Sequence, residues 1–546
     1  MAATSVLAQA PLPPSIDPGR IEDRVVPERA PPPKLDLPDV KTPARVVVPE
    51  ALKAVRVTLT EIRIEGSEAL PKEQPQALAN AYIGREITGT DIFELSRALT
   101  ALYRNAGFIL TQAVVPPQDL SKGSLTLRVV EGHIANVRIE GDPRAAQSLT
   151  ELGEKIKASR PLQAGVLERY LLNANDLPGV HVRAVLAPSQ TPGAADLTLI
   201  ATVKRVEGYL SLDNYGSKFL GPVQITVGAT ANQLLGVDDQ LSFWAVGTGN
   251  SEMTYGQLAY NQVVTADGLR LGATASKTST KPGDILKPFD VRGRADTVTL
   301  SAVYPFWRTL NESLHGRVLL DHRDIESDIL GTRVIEDKIR ALRLGARWSV
   351  VDRLDGSNVL DVEFSQGLGG TTQQDVLKSR AGADGKFSKI AFDYERFQRI
   401  GQSFGLTLGA GGQWADEPLL SSEEFALGGR RFGRAYEPAE LVGDRALAFR
   451  AEPAYLGGGD GKWLRSYQVY GFYDIGKVWF RDDPATGPNR PGRSLASAGV
   501  GARVFAIGDV AATLEAAKPL TKPVASYQSG GHGNDVRILG SLVVRF

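Results

Sequence analysis

From residue 208 to the end of the chain, apolar and polar residues alternate one by one in run after run. Ile225, Val227, Ala229 and Ala231 alternate with Gln224, Thr226, Gly228 and Thr230. Leu269, Leu271, Ala273 and Ala275 alternate with Arg270, Gly272, Thr274 and Ser276, and Leu360, Val362 and Phe364 with Asp361, Glu363 and Ser365. A period of two belongs to β-strands, whose successive side chains point to opposite faces. Polar, glycine-rich loops separate the runs. A soluble sandwich buries the apolar row, whereas a membrane barrel turns it to lipid and lines its lumen with the polar one. Alternation alone does not choose between them. The last strand favours the barrel: Val536, Ile538, Leu542, Val544 and Phe546 share one parity, and Arg537, Ser541 and Arg545 the other. A row with two arginines suits a wet lumen. The 339 residues from 208 to 546, divided over sixteen strands, give about 21 per strand with its connection, and a spanning strand needs roughly 9–11.

A terminal alternating strand ending in an aromatic, Phe546, resembles the C-terminal signal of bacterial outer-membrane barrels. No run of apolar residues is long enough for a transmembrane helix. Cysteine is absent, which excludes disulfides, thiolate-zinc sites and a cysteine nucleophile. Lys+Arg and Asp+Glu are both 62, which argues against a general nucleic-acid binder. His133, His181, His315, His322 and His532 are scattered and form no His-Glu-x-x-His pair. Gly499-Val-Gly501 is followed by Val504 where a dinucleotide motif needs glycine. No enzyme, metal or cofactor is expected. Tyr209, Trp244, Tyr255 and Tyr260 in the first barrel strands are expected to form an interface girdle or to pack against lipid.

Upstream lies a repeat. Ile62-Arg-Ile-Glu-Gly66 recurs as Val137-Arg-Ile-Glu-Gly141, 75 residues on, and Val130-Glu-Gly132 recurs as Val206-Glu-Gly208, 76 residues on. Two marks at one period indicate a duplicated small domain. Each unit reads strand, helices, strand, strand. In the first, residues 57–64 alternate as one strand, and Thr90 or Asp91 caps a helix with Ile92, Leu95, Leu99 and Leu102 on one face. Asn105-Ala-Gly107 ends it, and residues 108–115 and 125–130 are strands. The second unit repeats the plan with a strand at 137–139, a helix through Val166, Tyr170 and Leu171, and strands at 180–186 and 197–203.

The first 53 residues read as a leader remnant, a short helix within 15–24 and a proline-rich linker; 11 of the 32 prolines lie in residues 1–50. Ala8-x-Ala10 resembles the cleavage site that ends a secretory signal.

Residues 107–134, together with Asn175-Asp-Leu-Pro-Gly-Val180 and Leu212-Asp-Asn-Tyr-Gly216, resemble two-partner secretion transporters, the hemolysin/hemagglutinin secretion and activation proteins of the Omp85 superfamily. The resemblance covers nearly the whole chain after residue 15. It implies an outer-membrane antiparallel β-barrel of about 16 strands over residues 208–546. Two α/β polypeptide-transport-associated (POTRA) modules, 54–133 and 134–207, would precede it in the periplasm. A loop around 427–445 would fold back into the barrel. The family's Val-Arg-Gly-(Phe/Tyr) loop motif stands here as Gly433-Arg434-Ala435-Tyr436, with glycine for valine and alanine for glycine. The alanine puts in doubt a tight backbone contact at that position. The partner motif Phe-x-Asp-x-Gly is Phe472-Tyr-Asp474-Ile-Gly476, so the resemblance implies that Arg434 pairs with Asp474 in the lumen. The parity agrees: Tyr467, Val469, Tyr473 and Ile475 form the apolar row of that strand, and Gln468 and Asp474 the opposite one. The implied function is export of an unfolded adhesin- or hemolysin-type partner without ATP. The N-terminal helix would serve as a removable plug. The implied partners are a large β-helical exoprotein, outer-membrane lipid and the barrel assembly machinery, with no nucleic acid. The rival readings are an Omp85-type assembly factor, against which only two modules count, and a passive porin, which leaves the repeat unexplained.

Overall fold

The computed structural model describes residues 12–25, 56–369, 377–481, 492–525 and 533–546. The signal-like run and the proline-rich linker lie outside the described residues.

The repeat folds as two modules of one plan. The first holds β1 (Arg56–Thr58), β2 (Glu61–Glu65), α1 (Glu73–Asn80), β3 (Glu86–Thr88), α2 (Gly89–Asn105), β4 (Gln112–Val114) and β5 (Ser124–Val130). The second holds β6 (His133–Gly141), α3 (Ala146–Lys157), α4 (Ala164–Asn175), β7 (Val180–Pro188) and β8 (Ala194–Val203). The sheets run β2-β5-β4 and β6-β8-β7, the first pair parallel and the second antiparallel in both. The repeated glycines have a physical reason. Gly66 and Gly141 end β2 and β6 at φ 72° and 101°, where a Cβ would lie 2.4 Å from the Val129 carbonyl oxygen and 2.0 Å from that of Ala201. Only glycine tolerates that conformation and that approach.

Several local expectations are corrected. Residues 57–64 are two strands, because the Thr60 and Glu61 amides turn to the Gly123 carbonyl and β1 pairs with β3 instead. The cap of α2 is Thr88, not Thr90 or Asp91. Its hydroxyl accepts from the Asp91 amide while the Asp91 carboxylate accepts from the Thr88 amide at 2.6 Å, closing a capping box. Thr88 thereby holds the Asp91 carboxyl below its ordinary range. Only Gln112–Val114 of 108–115 is strand, because the Phe108 amide still bonds the Tyr103 carbonyl and continues the helix end. Helices α1 and α3, to which the sequence reading gave no range, complete the pair of helices in each unit. The helix expected within 15–24 is two 3-10 turns, Pro14–Ile16 and Pro18–Arg20, then one helical turn, Glu22–Val25. Pro14 and Pro18 open the turns, where the missing N–H is harmless.

The remaining chain forms a closed barrel of sixteen antiparallel strands, from Val206–Asp213 to Arg537–Arg545. The predicted apolar rows face outward and stay exposed: Ile225, Val227, Leu271, Phe364, Ile538 and Leu542. Phe546 exchanges backbone hydrogen bonds with Gly208 at the closing seam, and its ring covers that glycine. Of the four early aromatics, only Tyr260 lies in the lipid-facing row. Tyr209 and Trp244 pack edge to face over Gly228 on the inside, where a Cβ would lie 2.4 Å from the indole. Tyr255 is buried inside against Ile16 and Ile21.

The second module sits on the turns between barrel strands. Tyr170 donates to Asp267 at 2.9 Å, Asn173 to the Ala266 carbonyl at 3.0 Å, Arg308 pairs with Asp176 at 2.9 Å, and Ser148 donates to Asp238.

Candidate functional site

The strand Leu464–Trp479 turns every second side chain inward, so Phe472, Asp474 and Gly476 form a column on the inner wall. Opposite it, the chain between strands Phe404–Ala415 and Arg445–Gly458 folds back into the barrel. A short hairpin pairs Phe425–Leu427 with Leu441–Gly443, and its tip carries residues 428–440. Gly476 clears room for it: a Cβ there would lie 2.7 Å from Leu427 Cδ2. The tip turns at Gly433, whose φ of 89° no β-carbon residue adopts cheaply. Ala435, at the position of the family's glycine, is fully buried and is not among the positive-φ residues, so the turn's strain sits two residues earlier.

That turn aims Arg434 at the column. Its Nε lies 3.1 Å from Asp474 Oδ2 and its Nη2 3.1 Å from Oδ1, a two-pronged contact that matches guanidinium to carboxylate. Asp474 Oδ2 also accepts from the Gly433 and Arg434 amides at 3.3 and 3.1 Å and from Ser497 at 3.3 Å. The guanidinium carbon sits over the Phe472 ring, 3.6 Å from its centroid. Its remaining nitrogen, Nη1, reaches Glu452 at 2.8 Å and Glu515 at 3.0 Å. Arg434 is 4% exposed and Asp474 0%, so this network is shielded from water. Tyr436 is fully buried, with its hydroxyl 3.0 Å from the Lys522 carbonyl.

Sequence reasoning missed Glu452 and Glu515. Their parity marks them as inward-facing, but nothing local says that both meet an arginine from a distant loop. It also missed a second anchor at the hairpin's root. Arg343 grips Glu423 with both Nη atoms, at 2.7 and 3.1 Å, Lys389 adds a contact at 2.7 Å, and Arg343 reaches on to Asp321 at 3.0 Å. Asp444, fully buried, accepts from the Leu419 and Arg481 amides at 2.8 and 2.6 Å and pairs with Arg380.

The lumen also holds residues 12–25. Ile16 and Ile21 are pegged among Phe219, Leu220, Val246 and Met253, and Arg20 donates to Glu424 at 2.7 Å and to the Ser421 and Glu424 carbonyls. Glu22 receives hydrogen bonds from Gln257 and Ser276 of the wall.

Two family models match this chain. One, described as haemolysin secretion/activation protein ShlB/FhaC/HecB, matches residues 197–504; the other, a ShlB-type POTRA domain, matches residues 57–132. The heme/hemopexin transporter protein HuxB of Haemophilus influenzae is 24% identical over 510 residues, covering 91% of this chain and 89% of HuxB. The outer membrane transporter CdiB of Dickeya dadantii is 24% identical over 418 residues, covering 74% and 73%. Among solved structures, CdiB from Escherichia coli superposes with a TM-score of 0.74 at 19% identity, over 93% of this chain and 94% of that one. BamA from Haemophilus ducreyi lacking POTRA domains 1–3 reaches 0.51 at 12% identity, over 90% and 100%. At such identities these likenesses speak for the fold.

Proposed function

The chain belongs to the haemolysin secretion/activation protein family, and on that premise we propose that it exports one unfolded partner protein, of adhesin or hemolysin type, through its own lumen without ATP. The family comprises outer-membrane two-partner secretion transporters, so the barrel lies in the outer membrane and the modules in the periplasm.

The observation that carries the reading is what fills the lumen. Two segments of the chain itself, residues 12–25 and the infolded hairpin, occupy it and are tied to the wall by charged and polar groups. Charged groups that leave such a site regain water, so these contacts are reversible in a way that a dry apolar core is not. A passive porin has no use for such contents. In the periplasm, β7 is an edge strand, with Val180, Val182 and Ala184 buried; Asn175 covers the outer backbone of Val182, and from Ala184 onward that edge is unpaired by any strand among the described residues. It offers an extended substrate a place to add a strand, with affinity from backbone hydrogen bonds and little sequence demand. Arg434 and Asp474 hold the hairpin tip against the wall in the resting state, and folding of the emerged partner biases movement outward.

The test is secretion of a co-encoded β-rich exoprotein with and without this chain. Loss of secretion while other outer-membrane barrels still insert supports the transporter; failed insertion of those barrels would indicate an assembly factor. Undiminished export of a partner variant unable to fold would reject folding as the drive.

A further inference from the structure

The barrel is taller on one side. Strands Arg292–Arg308, Glu312–Ile329 and Thr332–Val351 are 17, 18 and 20 residues long, against 8 for Val206–Asp213. The extra length lies at the extracellular end, away from the modules, and there the lipid-facing surface changes character in rows. Register sets Leu300, Leu320 and Leu342 abreast on the outer face, with Leu300 52% and Leu320 47% exposed. Two residues further out, Val298, His322 and Arg340 lie abreast. The next row is Lys277, Asp296, Asp324 and Lys338. The alternate parity faces inward, since Asp321, Ile325 and Ile339 are buried against the lumen contents.

The heights are informative. Trp348, at the periplasmic end of the same outer row, is eight residues from Arg340 and ten from Lys338. At about 3.3 Å per residue and a strand tilt of about 40°, these steps rise roughly 20 and 25 Å along the membrane normal. An apolar band of about 25 Å that begins at Trp348 therefore ends at the Lys338 row, with Arg340 one step inside it, where its long side chain reaches out to the boundary. The first row beyond the leucines sets Arg340 and His322 beside Val298 and holds no acid, and acids begin only one step further out. That order, apolar then basic then mixed, complements acyl chains, then phosphates, then sugars. Arg340 is exposed and makes no ion pair among the described residues, whereas Lys338 and Lys277 are tied to Glu336 at 3.0 Å and Asp296 at 3.9 Å. An arginine fork left free at the acyl boundary fits phosphate oxygens two at a time.

We propose that this face seats a phosphorylated glycolipid of the outer leaflet. Arg340, flanked by His322 and Lys338, takes a phosphate, and Leu320 and Leu342 take the acyl chains beneath it. The inference rests on the barrel's place in the outer membrane and is independent of the transport reading.

The experiment uses the full chain in nanodiscs of phosphatidylcholine doped with lipid A, either bisphosphorylated or stripped of its phosphates. Lipid retained by the protein is counted by mass spectrometry. The wild type enriches the bisphosphorylated form, and His322→Ala with Arg340→Ala reduces that enrichment about five-fold or more, as expected for surface cations facing anionic lipid. Millimolar inorganic phosphate does not displace the lipid. Equal retention by the double variant, equal enrichment of phosphate-free lipid A, or displacement by inorganic phosphate would each overturn the proposal. Heat-dependent gel mobility checks that the variant barrel is folded. If it is not, Lys338→Ala decides by the same comparison.

Discussion

Glu423 and Glu424, consecutive in the chain, are held by different parts of the protein. Glu423 is gripped from the barrel wall by Arg343 and Lys389, and Glu424 by Arg20 of the luminal segment and by Arg380 of the loop before strand Ser388–Ile400. The root of the hairpin thus has a wall anchor that owes nothing to the segment within the lumen, and a second carboxylate that the segment shares. Substituting the two should have separable effects. Glu424→Gln weakens the hold on residues 12–25 while the Arg343 clamp keeps the hairpin seated, so single-channel records should show more frequent large openings, approaching those of a chain lacking residues 12–25. Glu423→Gln should expose the hairpin to protease with the luminal segment still in place. Identical behaviour of both variants would show that the two carboxylates act as one anchor.

The Arg434 network predicts an asymmetry. Removing Asp474 leaves the guanidinium with Glu452 and Glu515. Removing Arg434 leaves three carboxylates facing one another, with only Arg503 beside Glu452 to help. Breaking a buried pair by deleting one partner costs roughly 3–5 kcal/mol. Arg434→Ala should fall at the upper end of that range, and Asp474→Ala below it. Arg434→Lys should rescue little, because an ammonium cannot supply the two-pronged contact to Asp474 while also reaching Glu452 and Glu515. Thermal unfolding of the barrel and secretion of the partner check the order, and a more damaging Asp474→Ala would contradict it.

The turn that presents Arg434 makes a sharper prediction. Gly433→Ala forces a left-handed backbone on an L-residue, at about 1–2 kcal/mol, and sets a Cβ 2.6 Å from Leu495 Cδ1. Ala435→Gly, which restores the family's residue at the next position but one, should cost no more than about 1 kcal/mol of chain entropy. Secretion by both variants, read against the wild type, tests the pair. Equal tolerance would mean that the tip does not need this turn.

How far the chain was legible follows from where its signals are stored. The strands were readable because parity repeats in each: Ile225, Leu271 and Ile538 report the same face, while the choice of a barrel over a sandwich came from the last strand and the family resemblance, since alternation fits either. The columns on the inner wall were readable for the same reason, and Phe472, Asp474 and Gly476 share one. What parity omits is distance through space. Glu423 and Arg343 are 80 residues apart, and each alone is an ordinary charge in a polar segment. Tyr209, Trp244 and Tyr255 were misplaced because an aromatic fits either face of a strand. Only the glycine opposite Trp244, and the isoleucines of the luminal segment beside Tyr255, turn them inward. The capping residue of α2 was missed by two positions, since Thr88, Thr90 and Asp91 all have side chains fit to cap and the box geometry alone decides.

The seat of the second module should depend on pH through Asp238. This residue ends the turn before strand Asp239–Thr248 and accepts from Ser148 of α3, while its Oδ1 has no partner among the described residues. Burial pushes its carboxyl above the ordinary range, and the neighbouring charges of Asp239 and Glu151 push the same way, against the Ser148 hydrogen bond. A carboxyl raised in the docked state binds its proton more tightly there than when free. Docking is therefore strongest below the ordinary aspartate range and weakens as pH rises through the raised value. Asp238→Asn keeps a carbonyl for Ser148 and removes the charge, so it should tighten the seat at neutral pH and abolish the dependence. Spin labels on α3 and on the 264–269 turn report this directly. The wild-type distance distribution should broaden as pH rises above the ordinary aspartate range, and that of the variant should stay narrow. A wild-type distribution that does not change with pH would rule out Asp238 as a determinant of the seat.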